Sequence, residues 1–300
     1  MHFSRVFLDV GDDLVLVLAP QDRATGAMHD VTHSRHLLGR SLAAAFWRYF
    51  GETLERLRFY ITGGVGLETS GRLTAVGSLL SRQGRLLFAY LVYARDRPVS
   101  REELADALWS SQPPRAWEAA LSALVSNLRS VLSEAAAVET ASGCHRLIPR
   151  SPAWVDYEAA LNSADAAEAA LRAGDFSGAY GAAGVATNIA ERPFLPGDRS
   201  AWSEARRREL ESTLLRGLDV FVEVHRRNGE PALAARIAGR AVALEPFREA
   251  GHRQLMRAQY EAGDRAEALR TYQRLRELLR DELGVSPAPA TEAVYLELLK

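Results

Sequence analysis

Cysteine is nearly absent from the sequence: Cys144 is the single one in 300 residues. One thiol excludes an internal disulfide and any zinc site built on cysteine pairs, and it fits a reducing compartment. Lysine is equally scarce, Lys300 being the only one among 37 basic residues, so cationic chemistry here is arginine chemistry. Long apolar runs are missing too: VLVLAP at 15–20 and SLAAAFW at 41–47 fall far short of the ~20 residues that span a bilayer. The opening MHFSRVFLDVGDD turns acidic before any long apolar core and does not read as a secretory signal, so a cytoplasmic location is expected. No GxxxxGK, GxSxG or HExxH occurs. The phosphate loop, the serine-hydrolase elbow and the zinc-protease helix are thereby excluded, and neither an enzyme nor a cofactor is expected.

What is present divides unevenly along the chain. The whole carries a net charge of −1, yet residues 57–150 hold eleven basic against eight acidic residues, while residues 151–300 hold twenty against twenty-three. The middle is the part suited to a polyanion, though its excess is mild. Composition otherwise is that of an ordinary globular protein, 47% hydrophobic and 25% charged, long enough for two domains with their own cores.

From Ser151 onward alanine-rich segments with apolar residues at three- and four-residue spacing predict helices throughout. AGDFSGAYGAA at 173–183, NGEPALAARIA at 228–238 and AGDRAEALRTY at 262–272 resemble one another, and Gly229 to Gly263 is 34 residues, as is Ala234 to Ala268. A 34-residue period with glycine in the turn and alanine at close-packing positions is the signature of tetratricopeptide repeats. Residues 57–150 have another texture. LRFYITGGVGLE and GRLTAVG read as strands joined by glycine turns, and RQGRLLFAYLVYARD at 82–96 as a helix ended by Pro98. Ser100 with Glu103 forms a capping-box pattern before a second helix, RAWEAALSALVSNLRSVL at 115–132 predicts a third, and VETASGCHRLIP a hairpin turning at Gly143. Strands, three helices and a hairpin follow the order of a winged helix-turn-helix. The expected fold is mainly α with a small α+β domain: an N-terminal extension (1–56), a winged helix (57–150) and a tetratricopeptide-like helical domain (151–300).

In a helix-turn-helix the third helix lies in the major groove, so it needs one apolar face for the core and one polar face for bases and phosphates. On 115–132, Trp117, Leu121, Leu124, Leu128 and Val131 form the expected apolar stripe, opposite Arg115, Ser122, Ser126 and Arg129, with Asn127 at the margin. Arginine pairs with guanine, asparagine with adenine, and hydroxyls with phosphate. Arg101 in the second helix, and Arg146 and Arg150 near the wing, are candidate phosphate contacts. An ordinary solvated helix face would have much the same composition.

The succession ITGGVGLE, GRLTAVG, RLLFAYLVYARDRPVSREELADALW, PPRAWEAALSALVSNLRSVL and GCHRLIP resembles the OmpR-type winged helix of the Streptomyces antibiotic regulatory proteins. VDYEAAL, GDFSGAY, PFLPGDRSAW and the segment from Glu245 to Pro287 resemble the bacterial transcriptional activator domain that follows it. The resemblance implies an activator that binds direct repeats in double-stranded promoter DNA, often as a homodimer, and contacts RNA polymerase. It places Arg115, Ser122, Ser126, Asn127 and Arg129 on the recognition helix and Arg146 on the wing. Arg115-Ala116-Trp117-Glu118 departs from the family pattern, and Cys144 stands where an aromatic is usual.

An alternative stays open: a protein-interaction adaptor whose repeat domain is the working surface and whose winged helix has weak or no specific DNA binding. In the extension, FSRVFLDVGDDLVLVLAP predicts two strands around Gly11-Asp12, and HSRHLLGRSLAAAFWRYFGETLERL an amphipathic helix. His29, His33 and His36 have a spacing that a metal would accept on a helix, but no cysteine or ordered acidic partner accompanies them, and solvated histidines with no metal are expected.

Overall fold

In the computed structural model the described residues are 2–10, 13–21, 57–110 and 112–300. The chain forms two compact units, Met1–Leu54 and Glu55–Lys300. In the first, β1 (His2–Val10) and β2 (Asp13–Gln21) pair antiparallel in a register that brings Val10 opposite Asp13, as the sequence predicts. The amphipathic helix expected after them, and His29, His33 and His36, lie outside the described residues.

The second unit begins with a four-stranded sheet ordered β5-β4-β3-β9, from β3 (Leu57–Tyr60), β4 (Gly66–Thr69), β5 (Arg72–Thr74) and β9 (Ala153–Val155). β3 and β9 are parallel, Phe59 opposite Val155, so a strand beyond residue 150 completes the sheet that residue 57 starts. Between them lie a helical turn α1 (Val76–Leu79), then α2 (Arg82–Tyr93), α3 (Arg101–Trp109) and α4 (Trp117–Leu132). A second sheet, ordered β6-β8-β7, is made of β6 (Val99–Ser100), β7 (Ala136–Ala141) and β8 (Cys144–Pro149).

Local chemistry sets the helix starts. Ser81 Oγ accepts from Gly84 N at the head of α2, and Ser100 Oγ accepts from Glu103 N at 3.0 Å at the head of α3. The expected capping box is half made, because the Glu103 carboxylate is taken by the Tyr90 hydroxyl and by a bidentate pair with Arg97. α2 is buried on more than one face, with Leu86, Leu87, Phe88, Leu91 and Val92 all inaccessible. It is the central post of the domain.

Seven helices follow: α5 (Asp156–Arg172), α6 (Phe176–Ala190), α7 (Ala201–Arg227), α8 (Pro231–Leu244), α9 (Glu249–Glu261), α10 (Arg265–Leu278) and α11 (Pro289–Leu298), with a π-helical turn at Leu279–Leu283. The three turns read from the sequence are alike in detail. Gly174, Gly229 and Gly263 have φ of 76°, 73° and 87°, the left-handed region a helix C-terminus favours. The next residue's N–H reaches back five residues each time, Asp175 to Ala170, Glu230 to His225 and Asp264 to Gln259, which is the Schellman bond. The repeated alanines are the contact points: Ala179, Ala183, Ala234, Ala238 and Ala268 are fully buried. Small cores therefore run in series, from α5–α6–α7 through α7–α8–α9 to α9–α10–α11, as stacked repeats require.

The repeats are joined to the winged helix by Asp156, the first residue of α5. Its fully buried carboxylate accepts from the backbone N–H groups of Ile61 and Thr62 at 3.0 Å, from Thr62 Oγ1 at 2.6 Å and from Tyr157 N–H at 2.8 Å. Burial raises its pKa while all four donors favour the charged form. Around it Tyr93, Tyr157, Phe194 and Trp202 close a ring of edge-to-face contacts with centroids 5.4–6.0 Å apart. Arg95 pairs with Glu158, and Arg207 binds the carbonyls of Phe194, Leu195 and Asp198. Arg207 and Trp202, both from α7, thus lie at this join.

Asp156→Ala leaves three buried backbone donors and a threonine hydroxyl without this acceptor, and we expect it to cost about 3 kcal/mol. Asp175→Ala removes only an exposed N-cap acceptor for Gly178 N and should cost about 1 kcal/mol. Urea unfolding of both variants checks the order.

Candidate nucleic-acid interface

α4 has a single buried line, Leu121, Val125, Leu128 and Leu132, with Trp117, Leu124 and Val131 packed on its shoulders. The expected stripe is thus rotated by about one residue. α4 packs against α2, α3 and β7, and these neighbours set which line is buried. The opposite face is exposed over Glu118, Ala119, Ser122, Ala123, Ser126, Asn127, Arg129 and Ser130, and Arg115 is exposed in the turn before the helix. The chain thus brings Arg115, Ser122, Ser126 and Asn127 onto one open surface.

Beside that surface stands the β7–β8 hairpin. Its turn consists of Ser142 and Gly143, with φ of 50° and 75°, both positive as a tight hairpin turn matched to strand twist requires. Residues 139–143 at the tip are exposed and include one charge, Glu139. The hairpin is fixed to the helices at several points. Val99 pairs with His145 through β6, and Arg101 N–H donates to Gly143 O at 3.2 Å.

The predicted arginines differ in what they touch. Arg129 Nε donates to Val138 O at 2.9 Å and its Nη2 to Thr140 Oγ1 at 2.8 Å. Arg146 Nε and Nη2 donate to the carbonyls of Arg95 and Asp96. Arg150 pairs with Glu134, and Arg101 is half-buried at the head of α3. Ser122 Oγ returns its proton to Glu118 O. Guanidinium groups expected on DNA are therefore engaged with the protein's own backbone and side chains, while Asn127, Ser126 and Arg115 stand on the open face.

Sequence reasoning missed His145. Its side chain is 3% exposed, its Nδ1 lies 2.8 Å from Thr140 Oγ1, and its Nε2 is buried with no partner. Burial, reinforced by the charges of Arg101 and Arg129, holds the imidazole below its ordinary pKa. The signal was present: in CHRLIP, strand alternation puts His145 and Leu147 on one face and Arg146 on the other. Among the described residues no cluster of three or more potential ligands for a metal occurs, and no helix is long and apolar enough to cross a membrane.

A winged helix with an open third helix, fused to stacked helical repeats, defines a class of transcriptional regulator. The comparisons give the same result. Residues 78–144 match the model of the transcriptional regulatory protein C-terminal domain, and residues 155–299 that of the bacterial transcriptional activator domain. The chain is 31% identical to the transcriptional regulator RedD of Streptomyces coelicolor over 80% of this chain and 69% of that protein. It is 32% identical to the regulatory protein AfsR of the same species over 81% of its own length, and spans about a quarter of AfsR, 24%. A solved structure of Mycobacterium tuberculosis EmbR, in complex with a low-affinity phosphopeptide, superposes with a TM-score of 0.71 at 26% identity, covering 81% of this chain and 65% of that one. The chain belongs to the Streptomyces antibiotic regulatory protein family of transcriptional regulators, a family of regulators and not of enzymes.

Because the folded His145 pKa lies below its unfolded value, the unfolded state takes up the proton first. The stability that the neutral imidazole contributes is complete above about pH 6.5 and is lost as pH falls toward the folded pKa. His252, buried and held low in the same way, acts in the same direction. Melting temperature should fall between about pH 7.5 and about pH 5.5, and His145→Gln should flatten part of that slope in thermal melts. An unchanged slope would contradict the assignment.

Proposed function

We propose that this chain is a sequence-specific DNA-binding transcriptional activator that places α4 in the major groove of promoter DNA and the β7–β8 hairpin against the flanking backbone. The observation that carries the reading is the pairing of an exposed α4 face, bearing Arg115, Ser122, Ser126 and Asn127, with a wing tip exposed beside it. Asn127 has the donor and acceptor needed for a bidentate contact to adenine, Ser126 can reach a phosphate or base edge, and Arg115 meets the backbone where the helix begins. With the tip of the wing carrying Glu139 and no cation, electrostatic attraction is modest, so discrimination rests on the helix face and not on charge alone.

Activation follows from the repeat domain, whose match is to a bacterial transcriptional activator domain. In this reading that domain contacts RNA polymerase while two copies of the chain occupy direct repeats side by side, in the cytoplasm where the DNA lies. The rigid seating of α5 on the DNA-binding sheet through Asp156 would fix the position of the repeats relative to the bound duplex.

The test is a salt titration of binding to the protein's own upstream promoter and to a scrambled duplex. Wild type should prefer the promoter by at least about a thousandfold at physiological salt. Asn127→Ala should lose about 1–3 kcal/mol of that discrimination at one base pair. Arg115→Ala should weaken binding to both duplexes alike and lower the salt slope by about one. Equal, weak binding of wild type to both duplexes would instead favour the adaptor, with the repeat domain as its working surface.

A further inference from the structure

Arg129, Thr140 and His145 form a connected group at the edge of the exposed α4 face, where the helix meets the wing. Arg129, in the last turn of α4, leans onto the hairpin: Nε to Val138 O and Nη2 to Thr140 Oγ1. Thr140 Oγ1 accepts from Arg129 and is hydrogen-bonded at 2.8 Å to His145 Nδ1 across the hairpin. Burial, with the charges of Arg101 and Arg129 beside it, holds the imidazole below its ordinary pKa. His145 is in turn paired through β6 to the head of α3. On the second strand Arg146 ties β8 to the end of α2. One guanidinium thus fastens each strand of the wing to the helical body.

Resting on the DNA-binding reading, we propose that Arg129 is a positioning residue: it sets the angle between α4 and the wing through Val138 and Thr140, and leaves the reading of bases to Asn127 and its neighbours. To turn its Nε and Nη2 edge to guanine it would have to release both bonds, leaving the Val138 carbonyl without this donor and Thr140 with His145 alone. Side-chain forks of this kind need arginine, since a lysine ammonium carries the charge without the planar pair of donors.

The experiment compares wild type, Arg129→Ala, Arg129→Lys, Thr140→Val and Asn127→Ala, each folded at the assay temperature. Binding to the promoter and to a set of single-base-pair variants is measured, together with hydrogen exchange of residues 138–144 in the DNA-free protein. The expected result is that Arg129→Ala lowers affinity for every duplex by about tenfold with base preferences unchanged. Arg129→Lys should fail to rescue it, Thr140→Val should give a smaller loss that does not add to that of Arg129→Ala, and exchange should quicken in the wing of both. Only Asn127→Ala should alter a base preference.

Altered base preference in Arg129→Ala, or full rescue by lysine with Thr140→Val silent, would place Arg129 on the DNA and overturn the inference. Wild type that fails to distinguish promoter from scrambled DNA would overturn the DNA-binding reading itself and the positioning role with it. That failure is recognisable because it shows in wild type before any substitution.

Discussion

A carboxylate removed from water and given four hydrogen-bond donors is the constraint on which the rest of this molecule depends. Asp156 follows the parallel strand β9 and begins α5, and its oxygens take the N–H groups just past the end of β3 together with the Thr62 hydroxyl. Leaving such a group buried and unpaired would cost several kcal/mol, so strand, helix and neighbouring loop are fixed together or not at all. The segment between α6 and α7 follows: Gly63 donates to Pro193 O, Thr62 bridges to Phe194, and Leu195 sits at φ 40° with its carbonyl held by Arg207. The aromatic ring of Tyr93, Tyr157, Phe194 and Trp202 fills the space this creates. A linker that would ordinarily let two domains move is here part of a sheet and a helix cap.

That rigidity bears on how arginine is used. With lysine all but absent, every structural fork and every cationic phosphate contact must come from the same residue type, and the structural uses take many of them. Arg95, Arg129, Arg146 and Arg207 serve carbonyls or carboxylates within the protein. Fewer guanidinium forks of residues 57–150 are therefore free to grip a duplex, and polar recognition falls to short side chains on α4. A reader built this way gains selectivity from shape and hydrogen bonding more than from attraction at a distance.

Much of the fold was legible in the sequence because it is written locally. The glycine turns, the alanines after them, the serine caps at Ser81 and Ser100 and the hairpin at Ser142-Gly143 each depend on residues within a few positions of one another. The 34-residue period survived because every repeat solves the same packing problem. What was not legible is non-local. Nothing near Ala153 announces a three-residue strand parallel to Leu57–Tyr60, nothing near Asp156 points to Ile61, and the shift of the buried line on α4 to Val125 and Leu132 reflects packing against α2, α3 and β7. The candidate site divides the same way. Exposure of Ser122, Ser126 and Asn127 followed from helical period alone, whereas the partners of Arg129 and Arg146 are set by how the hairpin folds back.

The central claim is that the exposed face of α4 touches the bases of promoter DNA. A photo-crosslinking side chain placed at Ser126, and at Val185 on the exposed side of α6 as a control, tests it most directly on the full chain bound to its own promoter. The account predicts a crosslink from position 126 to bases of the bound site, lost on a scrambled duplex, and none from position 185. Binding that persists with no crosslink from position 126, or with one from position 185 instead, would contradict it.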